Sequence, residues 1–184
     1  TQDRIDAMTA SGYWPNRVLT DYLDDAVAAY PDRVAVTDVN SMTGGMTTLS
    51  FRQLARRVDR IALRLVALGV EPGDVVSYQL PNWWQFTALH LACVRIGAAT
   101  KPVMPIFRHR ELEFMLGLAE SKLFIVPRVF RAFDYPKMVE EIRRKLPALE
   151  CVFVVGGEGA ESFEDNFLKE RLEDGQDAPA ILKE

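Results

Sequence analysis

Two arginines and a histidine end a proline-flanked segment in the middle of the chain. The segment reads Pro-Ile-Phe-Arg-His-Arg and covers residues 105–110. It follows an apolar run that predicts a strand, and ligands collect at the carboxyl ends of strands in open parallel sheets. The cations also precede a predicted helix, whose N-terminal dipole disfavours them unless an anion is close. Arg108 and His109 are therefore candidates to face an acidic ligand or an acidic segment, and the alternative is a solvated loop.

A glycine-rich turn at residues 156–159 stands between a predicted strand and a predicted helix, where nucleotide-binding folds hold phosphates. The dinucleotide fingerprint would need glycine or alanine at Ser162, and a P-loop would need a lysine that the segment does not have. Glu158 and Glu161 would repel a phosphate. The sequence therefore predicts an ordinary surface turn.

The remaining reactive side chains are not spaced for catalysis or metal binding. No catalytic residue and no metal ligand is therefore assigned. His90 lies inside an apolar run, which predicts a packed and hydrogen-bonded side chain. Cys93 and Cys151 stand far apart in apolar runs with no histidine at ligand spacing, which disfavours a disulfide framework or a zinc site. Free thiols favour a reducing, cytoplasmic setting.

Charge and hydropathy disfavour two kinds of partner. The chain has 184 residues, of which 22 are basic and 26 acidic, and the charges are mixed along it. The resulting net charge of −4 gives no reason to expect nucleic-acid binding. No apolar run approaches the roughly 20 residues that a membrane span needs.

Alternating helix and strand signals predict an α/β fold with a mostly parallel sheet flanked by helices. The clearest helix begins at Ser50, because Gln53 completes a capping box, and ends at Gly69. The arginines of this helix predict a solvated face. The next helix is predicted at 83–96, with Asn82 as its N-terminal cap. Strands are predicted at 33–39, 46–49, 75–80, 98–104, 123–126 and 151–155.

The same signals predict three parts of the chain. Residues 1–32 form a lead-in with one short helix, 20–30, and residues 33–172 form the α/β unit. The unit ends in a helix that Ser162 caps and that runs to about residue 172. Residues 173–184 are polar and resemble a linker that has been cut short.

Five short motifs follow one another in the middle of the α/β unit. They are Leu65 to Val70, Glu71-Pro72-Gly73-Asp74, Leu80-Pro81-Asn82, Arg95-Ile96-Gly97-Ala98 and Pro102 to Pro105. As a set they resemble the N-terminal part of acyl-CoA synthetases, the AMP-binding, adenylate-forming ligases. The segments LPNWWQF and PVMPIFRHRELEFML look most similar to those of cyclohexanecarboxylate-CoA and related medium-chain or fatty acid–CoA ligases. The likeness covers about residues 15–182 and implies the N-terminal subdomain of an adenylate-forming enzyme.

The resemblance implies an acid–thiol ligase that uses ATP, Mg²⁺ and CoA. Such an enzyme joins a carboxylic acid to AMP and then transfers the acyl group to CoA. The family's phosphate loop and catalytic lysine have no counterpart in these 184 residues, so we expect the chain by itself to be inactive and to bind no cofactor. Its expected partners are the C-terminal parts of its own chain or, for the isolated fragment, a second copy of itself.

The resemblance also implies one CoA-binding residue. Residues 129–132 align with the segment that holds the 3′-phosphate of CoA by arginines in acetyl-CoA synthetases. Arg131 falls on the first of those arginines, whereas the second position is Asp134, which would repel a phosphate. The alternative to the ligase is a stand-alone α/β module that binds an anion without catalysis.

Overall fold

Helices and strands alternate along the chain in the computed structural model, which describes residues 1–182. In order they are α1 (Gln2–Ala10), α2 (Leu19–Ala29), β1 (Val34–Val39), β2 (Met46–Ser50), α3 (Phe51–Ala67), β3 (Val75–Tyr78), α4 (Trp84–Arg95), β4 (Ala99–Pro102), α5 (His109–Leu118), β5 (Leu123–Pro127), β6 (Val129–Phe130), β7 (Phe133–Asp134), α6 (Tyr135–Arg143), β8 (Cys151–Val155), α7 (Phe163–Phe167) and α8 (Ala178–Ile181). Single 3-10 turns stand at Gly159–Glu161 and Leu172–Asp174.

Four parallel strands form the central sheet in the order β4-β3-β5-β8. The predicted α/β class with a parallel sheet is therefore confirmed. The chain runs from β3 outward to β4 and then returns past β3 to β5, so the direction of the crossovers reverses between β3 and β5. Such a reversal leaves a crevice outside the carboxyl ends of the two strands. Two antiparallel hairpins, β1-β2 and β6-β7, lie outside this sheet.

Helices cover both faces of the sheet, and alternate residues of its strands feed two hydrophobic cores. Leu123 and Ile125 of β5 belong to the core that contains α3 and α4. Phe124 and Val126 belong to the core that contains α5 and α6. All five residues of β5 are buried, which explains the continuous apolar run of this strand.

Helix α3 begins and ends as its sequence predicts. The Gln53 amide donates to Ser50 Oγ at 3.3 Å, and the Ser50 amide donates to Gln53 Oε1 at 2.9 Å. Gly69, just beyond the end of the helix, has φ of +80°. A residue with a side chain would be strained there, so glycine ends the helix.

The prediction of a solvated arginine face on α3 was wrong for three of its members. The side chain of Arg60 donates from Nε to Glu173 at 2.8 Å, and its Nη1 donates to the Leu168 carbonyl at 2.8 Å. Arg64 reaches Asn166, and Arg57 lies 4.2 Å from the centre of the Trp84 ring. The segment after β8 folds back onto α3, and the local pattern of the helix could not predict this.

The start of α4 corrects a second prediction, because Asn82 does not cap this helix. The Trp84 amide instead donates to Asp38 Oδ2 at 2.7 Å, across 46 positions of sequence. Asp38 lies at the end of β1 and is only 7% exposed. The outer hairpin thus fixes the first turn of a helix that packs on the central sheet.

Two helices, α1 and α7, also differ from the sequence predictions. Helix α1 was not predicted, and its nine residues remain exposed or half-buried. Ser162 does cap a helix, since its Oγ accepts from the Asp165 amide at 3.1 Å, but α7 ends at Phe167 rather than near residue 172. The boundaries at 32 and 172 stay predictions, although Glu173 is paired and Ala178 is buried.

We expect Asp38→Ala to lower the free energy of unfolding by about 1–2 kcal/mol, because it leaves the buried Trp84 amide without an acceptor. Asn82→Ala is the matched control, since Asn82 is exposed and holds the position that sequence alone favours for the cap. It should change stability by less than about 0.5 kcal/mol. Urea denaturation measures both variants, and equal effects would show that Asp38 does not cap α4.

Candidate anion-binding edge of the sheet

A buried glutamine joins two loops at the carboxyl edge of the sheet. Gln79 directly follows β3 and is fully buried. Its Nε2 donates to the carbonyls of Met104 and Phe107, at 2.8 and 3.0 Å. The loop that carries Arg108 is therefore held against the end of β3. The sequence analysis missed Gln79, whose polar side chain at the end of an apolar strand was the available signal.

Arg108 is held by its own loop and by an aromatic ring. Its Nη1 donates to the carbonyls of Pro105 and Phe107, at 2.6 and 2.8 Å. The guanidinium carbon lies 3.9 Å from the centre of the Phe133 ring, which is a cation–π distance. These contacts position a half-buried cation at this edge, and its role in anion binding stays a prediction.

His109 contacts a different part of the chain from Arg108. Its Nε2 lies 2.7 Å from Glu141 Oε2, so it links the start of α5 to α6. Both side chains are about half exposed, at 43% and 52%. The predicted role of His109 toward an acidic ligand is also still a prediction, and a glutamate of this chain already provides one acidic neighbour.

Arg131 lies in a turn that strains its backbone. The hairpin of β6 and β7 pairs Phe130 with Phe133, so Arg131 and Ala132 are its two central residues. Their φ angles are +51° and +59°. Two-residue hairpin turns of this kind favour asparagine and glycine, because side chains crowd the backbone in the left-handed region. The turn holds an exposed arginine at its tip.

Tyr135 connects the start of α6 to the loop of Arg108. Its hydroxyl donates to the Pro105 carbonyl at 2.8 Å, which ties the base of α6 to the loop of Arg108. Burial raises the pKa of Tyr135, while the positive charges of Arg108 and Arg131 oppose that rise. The structure therefore places the guanidinium carbon of Arg108 5.7 Å from the centre of the Tyr135 ring and leaves His109 with α6.

A groove on the outer side of α6 contains a second set of basic side chains. Its volume is about 620 Å³, and its cations are Arg128, Lys137, Arg143 and Arg144. Within residues 1–182, the side chains of Arg128, Lys137 and Arg144 form no hydrogen bond or ion pair. Because Lys137 and Arg144 are seven residues apart, they lie on one face of the helix. That spacing was the signal that the sequence analysis missed.

Acidic side chains reduce the positive charge of this groove, which we call the α6 groove. Asp134, Glu140 and Glu161 also line it. Arg143 lies 3.6 Å from Glu161 and donates to the Glu150 carbonyl at 2.8 Å, so its charge is partly used. The three remaining cations have the chemistry for charge-assisted hydrogen bonds to an anion.

The glycine-rich turn at 156–159 does not fit a phosphate. The Gly156 amide points at the carboxylate of Glu164, with the closer oxygen 3.1 Å away. Burial raises the pKa of Glu164, and this hydrogen bond acts in the opposite direction. The turn is mostly exposed, as the sequence predicts. An amide that would be needed to bind a phosphate is therefore already bonded to an acidic side chain.

The other candidate side chains are structural. His90 Nδ1 lies 2.9 Å from the Tyr78 hydroxyl, which confirms the predicted packed and bonded histidine. Cys93 is fully buried, and burial raises the pKa of its thiol to about 12. No cluster of three metal-ligating side chains occurs in the part of the chain that the structure describes. None of the helices described is long and apolar enough to cross a membrane.

A family model described as "AMP-binding enzyme" matches residues 23–183. The chain belongs to this family. A salicylyl-CoA synthase / salicylate adenylyltransferase of Streptomyces sp is 36% identical over 182 residues, which are 98% of this chain and 32% of that protein. A medium-chain fatty-acid–CoA ligase of Escherichia coli (strain K12) is 30% identical over 151 residues, which are 82% of this chain and 26% of that protein.

One of the similar solved structures has the same fold over most of the chain. The apo structure of Mycobacterium smegmatis MbtA superposes with a TM-score of 0.77 at 28% identity, covering 92% of this chain and 30% of that one. The described α/β unit is therefore similar to the N-terminal part of adenylate-forming enzymes. The chain spans about a third, or less, of the length of these relatives.

We expect Ala132→Gly to raise the free energy of unfolding by about 0.5–1 kcal/mol, since glycine relieves the left-handed strain of the β6-β7 turn. Ala28→Gly is the matched control, because Ala28 is exposed in the helix α2. The control should lower stability by up to about 1 kcal/mol. Thermal or urea unfolding gives both values, and a loss of stability in Ala132→Gly would contradict the turn geometry.

Proposed function

We propose that this chain is the N-terminal part of an acyl-CoA ligase. In the complete reaction, a carboxylate oxygen attacks the α-phosphorus of ATP and pyrophosphate leaves. The sulfur of CoA then attacks the acyl carbonyl of the adenylate, AMP leaves, and the thiol proton is released. The observation that carries this proposal is the family match over residues 23–183, on a fold that superposes on an AMP-binding relative.

The proposed substrate is a carboxylic acid, with aryl and medium-chain acids as the classes to test. The relative at 36% identity is named for salicylate, and the relative at 30% identity is named for medium-chain fatty acids. The residues described here do not separate the two classes, because no acyl pocket has been built from them. ATP and Mg²⁺ are the expected cosubstrate and metal, and the cytoplasm is the expected location.

The proposed role of these residues is to form one wall of the cleft and to position cations along it. The turn at 156–159 is bonded to Glu164, which supports the view that ATP phosphates are bound by parts of the enzyme outside these 184 residues. Packing against those parts, or self-association of the isolated chain, would cover exposed apolar side chains such as Ile106 and Phe114.

For CoA, the proposed contact is Arg131, which is exposed at the tip of a strained turn. Backbone strain of this kind persists at functional sites, where a side chain must be held in one place. Arg108 and His109 keep their proposed role toward an acidic ligand or segment. The Nη1 atom of the Arg108 guanidinium is already bonded to carbonyls of its own loop, so Arg108 would act as a fixed positive charge.

A second candidate function is favoured by the α6 groove. Three cations without partners among the described residues could bind an anion in a stand-alone module that catalyses nothing. The two functions differ in what they require, since only the ligase needs an acid and ATP together.

We expect a longer form of the protein, extended to the length of its relatives, to exchange labelled pyrophosphate into ATP only when salicylate or octanoate is present. Acid-dependent exchange reports the adenylate step directly. If neither acid supports exchange while the 184-residue chain binds sulfate in the α6 groove, the module replaces the ligase as the proposed function.

In that longer protein, Arg131→Glu should raise the KM for CoA by about tenfold or more, because a charge-assisted contact to a phosphate becomes repulsive. The KM for ATP should stay the same. Arg110→Glu is the matched control, as it reverses another exposed arginine outside the β6-β7 turn. If the KM for CoA rises equally in both variants, the effect comes from the change in net charge alone. If it does not rise in Arg131→Glu, Arg131 does not contact CoA.

A further inference from the structure

A small cavity lies at the same carboxyl edge, on the side facing the outer hairpin. Its volume is about 250 Å³, and it is separate from the α6 groove except for a shared wall at Arg128. Trp83 and Gln85, which follow β3, line it together with Val155 at the end of β8 and Glu164 of α7.

Gln85 is the unusual member of this cavity. Its side chain is 7% exposed, and its Oε1 is buried without a hydrogen-bond partner among residues 1–182. A buried amide oxygen that bonds to nothing is destabilising, so native structures leave few of them unpaired. Gln79 Oε1, six residues earlier, is unpaired in the same way, although both protons of the Gln79 Nε2 are donated to carbonyls of the chain. Gln85 differs because it lines a cavity and because its side chain forms no hydrogen bond among residues 1–182.

The place of the cavity in the fold supports a ligand site independently. The crossovers of the sheet reverse between β3 and β5, and ligands of open α/β folds bind outside the carboxyl ends of strands at such a reversal. Trp83 follows β3, and Arg128 follows β5. The turn between β1 and β2 supplies Asn40 and Thr43 as the outer wall.

The charges at the cavity disfavour an ionic ligand. Arg128 and Glu164 give it one cation and one anion, and Glu164 already accepts from the Gly156 amide. The remaining walls include an indole and a valine. Trp83 is held edge-on against Phe130, with ring centres 6.2 Å apart, so its surface is fixed. A volume below the usual range for drug-sized ligands suits a single ring with one polar group.

We propose that this cavity binds an uncharged aromatic carboxamide whose amide pairs with the side chain of Gln85. Two complementary N–H···O bonds would satisfy the buried oxygen and use one amide proton of Gln85, while the ring packs on Trp83 and Val155. The proposal does not depend on the ligase reaction, because none of these residues has been given a role in it.

The test uses the ¹⁵N-labelled 184-residue chain, titrated with benzamide, benzoate and toluene. Benzamide should shift the Trp83 indole and Gly156 amide signals saturably, and both benzoate and toluene should bind at least about tenfold more weakly. Trp83→Phe assigns the indole signal. Gln85→Met keeps the volume and removes the amide, so it should weaken benzamide by about tenfold or more and leave toluene unchanged.

Gln176→Met is the matched control, because Gln176 is exposed and distant in sequence from the cavity. It should leave all three titrations as they are in the wild-type chain. The proposal is overturned if benzamide shifts neither signal up to its solubility, if benzoate or toluene binds as well as benzamide, or if Gln85→Met binds benzamide like the wild-type chain.

Discussion

A parallel sheet that is buried on both faces is the constraint on which this structure depends. Its strands cannot be joined by tight turns, so each connection must carry a helix, and each helix must cover one face. The alternating residues of β5 divide between the two cores and show this directly. Because the crossovers reverse after β4, the loops following β3 and β5 meet at one edge, where the candidate residues lie.

That edge is held by contacts between residues that are distant in sequence. Gln79 ties the loop of Arg108 to the end of β3, and Tyr135 ties the same loop to α6. Asp38 reaches from the outer hairpin to the first turn of α4. Each of these groups is polar, largely buried and bonded to backbone, so each fixes a loop whose own sequence would leave it free.

Local chemistry was enough to predict the elements whose ends are fixed by neighbouring residues. Ser50, Gln53 and Gly69 bound α3 because a capping box and a left-handed glycine act within a few positions. The parallel pairing also followed, since strands separated by helices need crossovers. The short motifs identified the family correctly, and the family match agrees with that identification over residues 23–183.

Sequence reasoning failed where a partner comes from far along the chain. Asn82 has the residue type of a cap, but Asp38 supplies the carboxylate. The arginines of α3 read as solvated because Glu173 and Leu168, which pair with Arg60, lie more than a hundred positions away. At the candidate site, the types of Arg108 and Arg131 were readable from sequence, whereas the contact of Arg108 with the Phe133 ring and the left-handed turn that carries Arg131 were not.

The proposed function divides the work of the enzyme: the described residues form one wall of a cleft and position cations along it, while ATP is bound by other parts. The glycine-rich turn is central to that view, because its first amide is bonded to Glu164 and is not free to bind a phosphate. Calorimetric titration of the 184-residue chain with ATP and Mg²⁺ tests this division most directly. We expect no saturable heat of binding; stoichiometric uptake of ATP at micromolar concentration would contradict it.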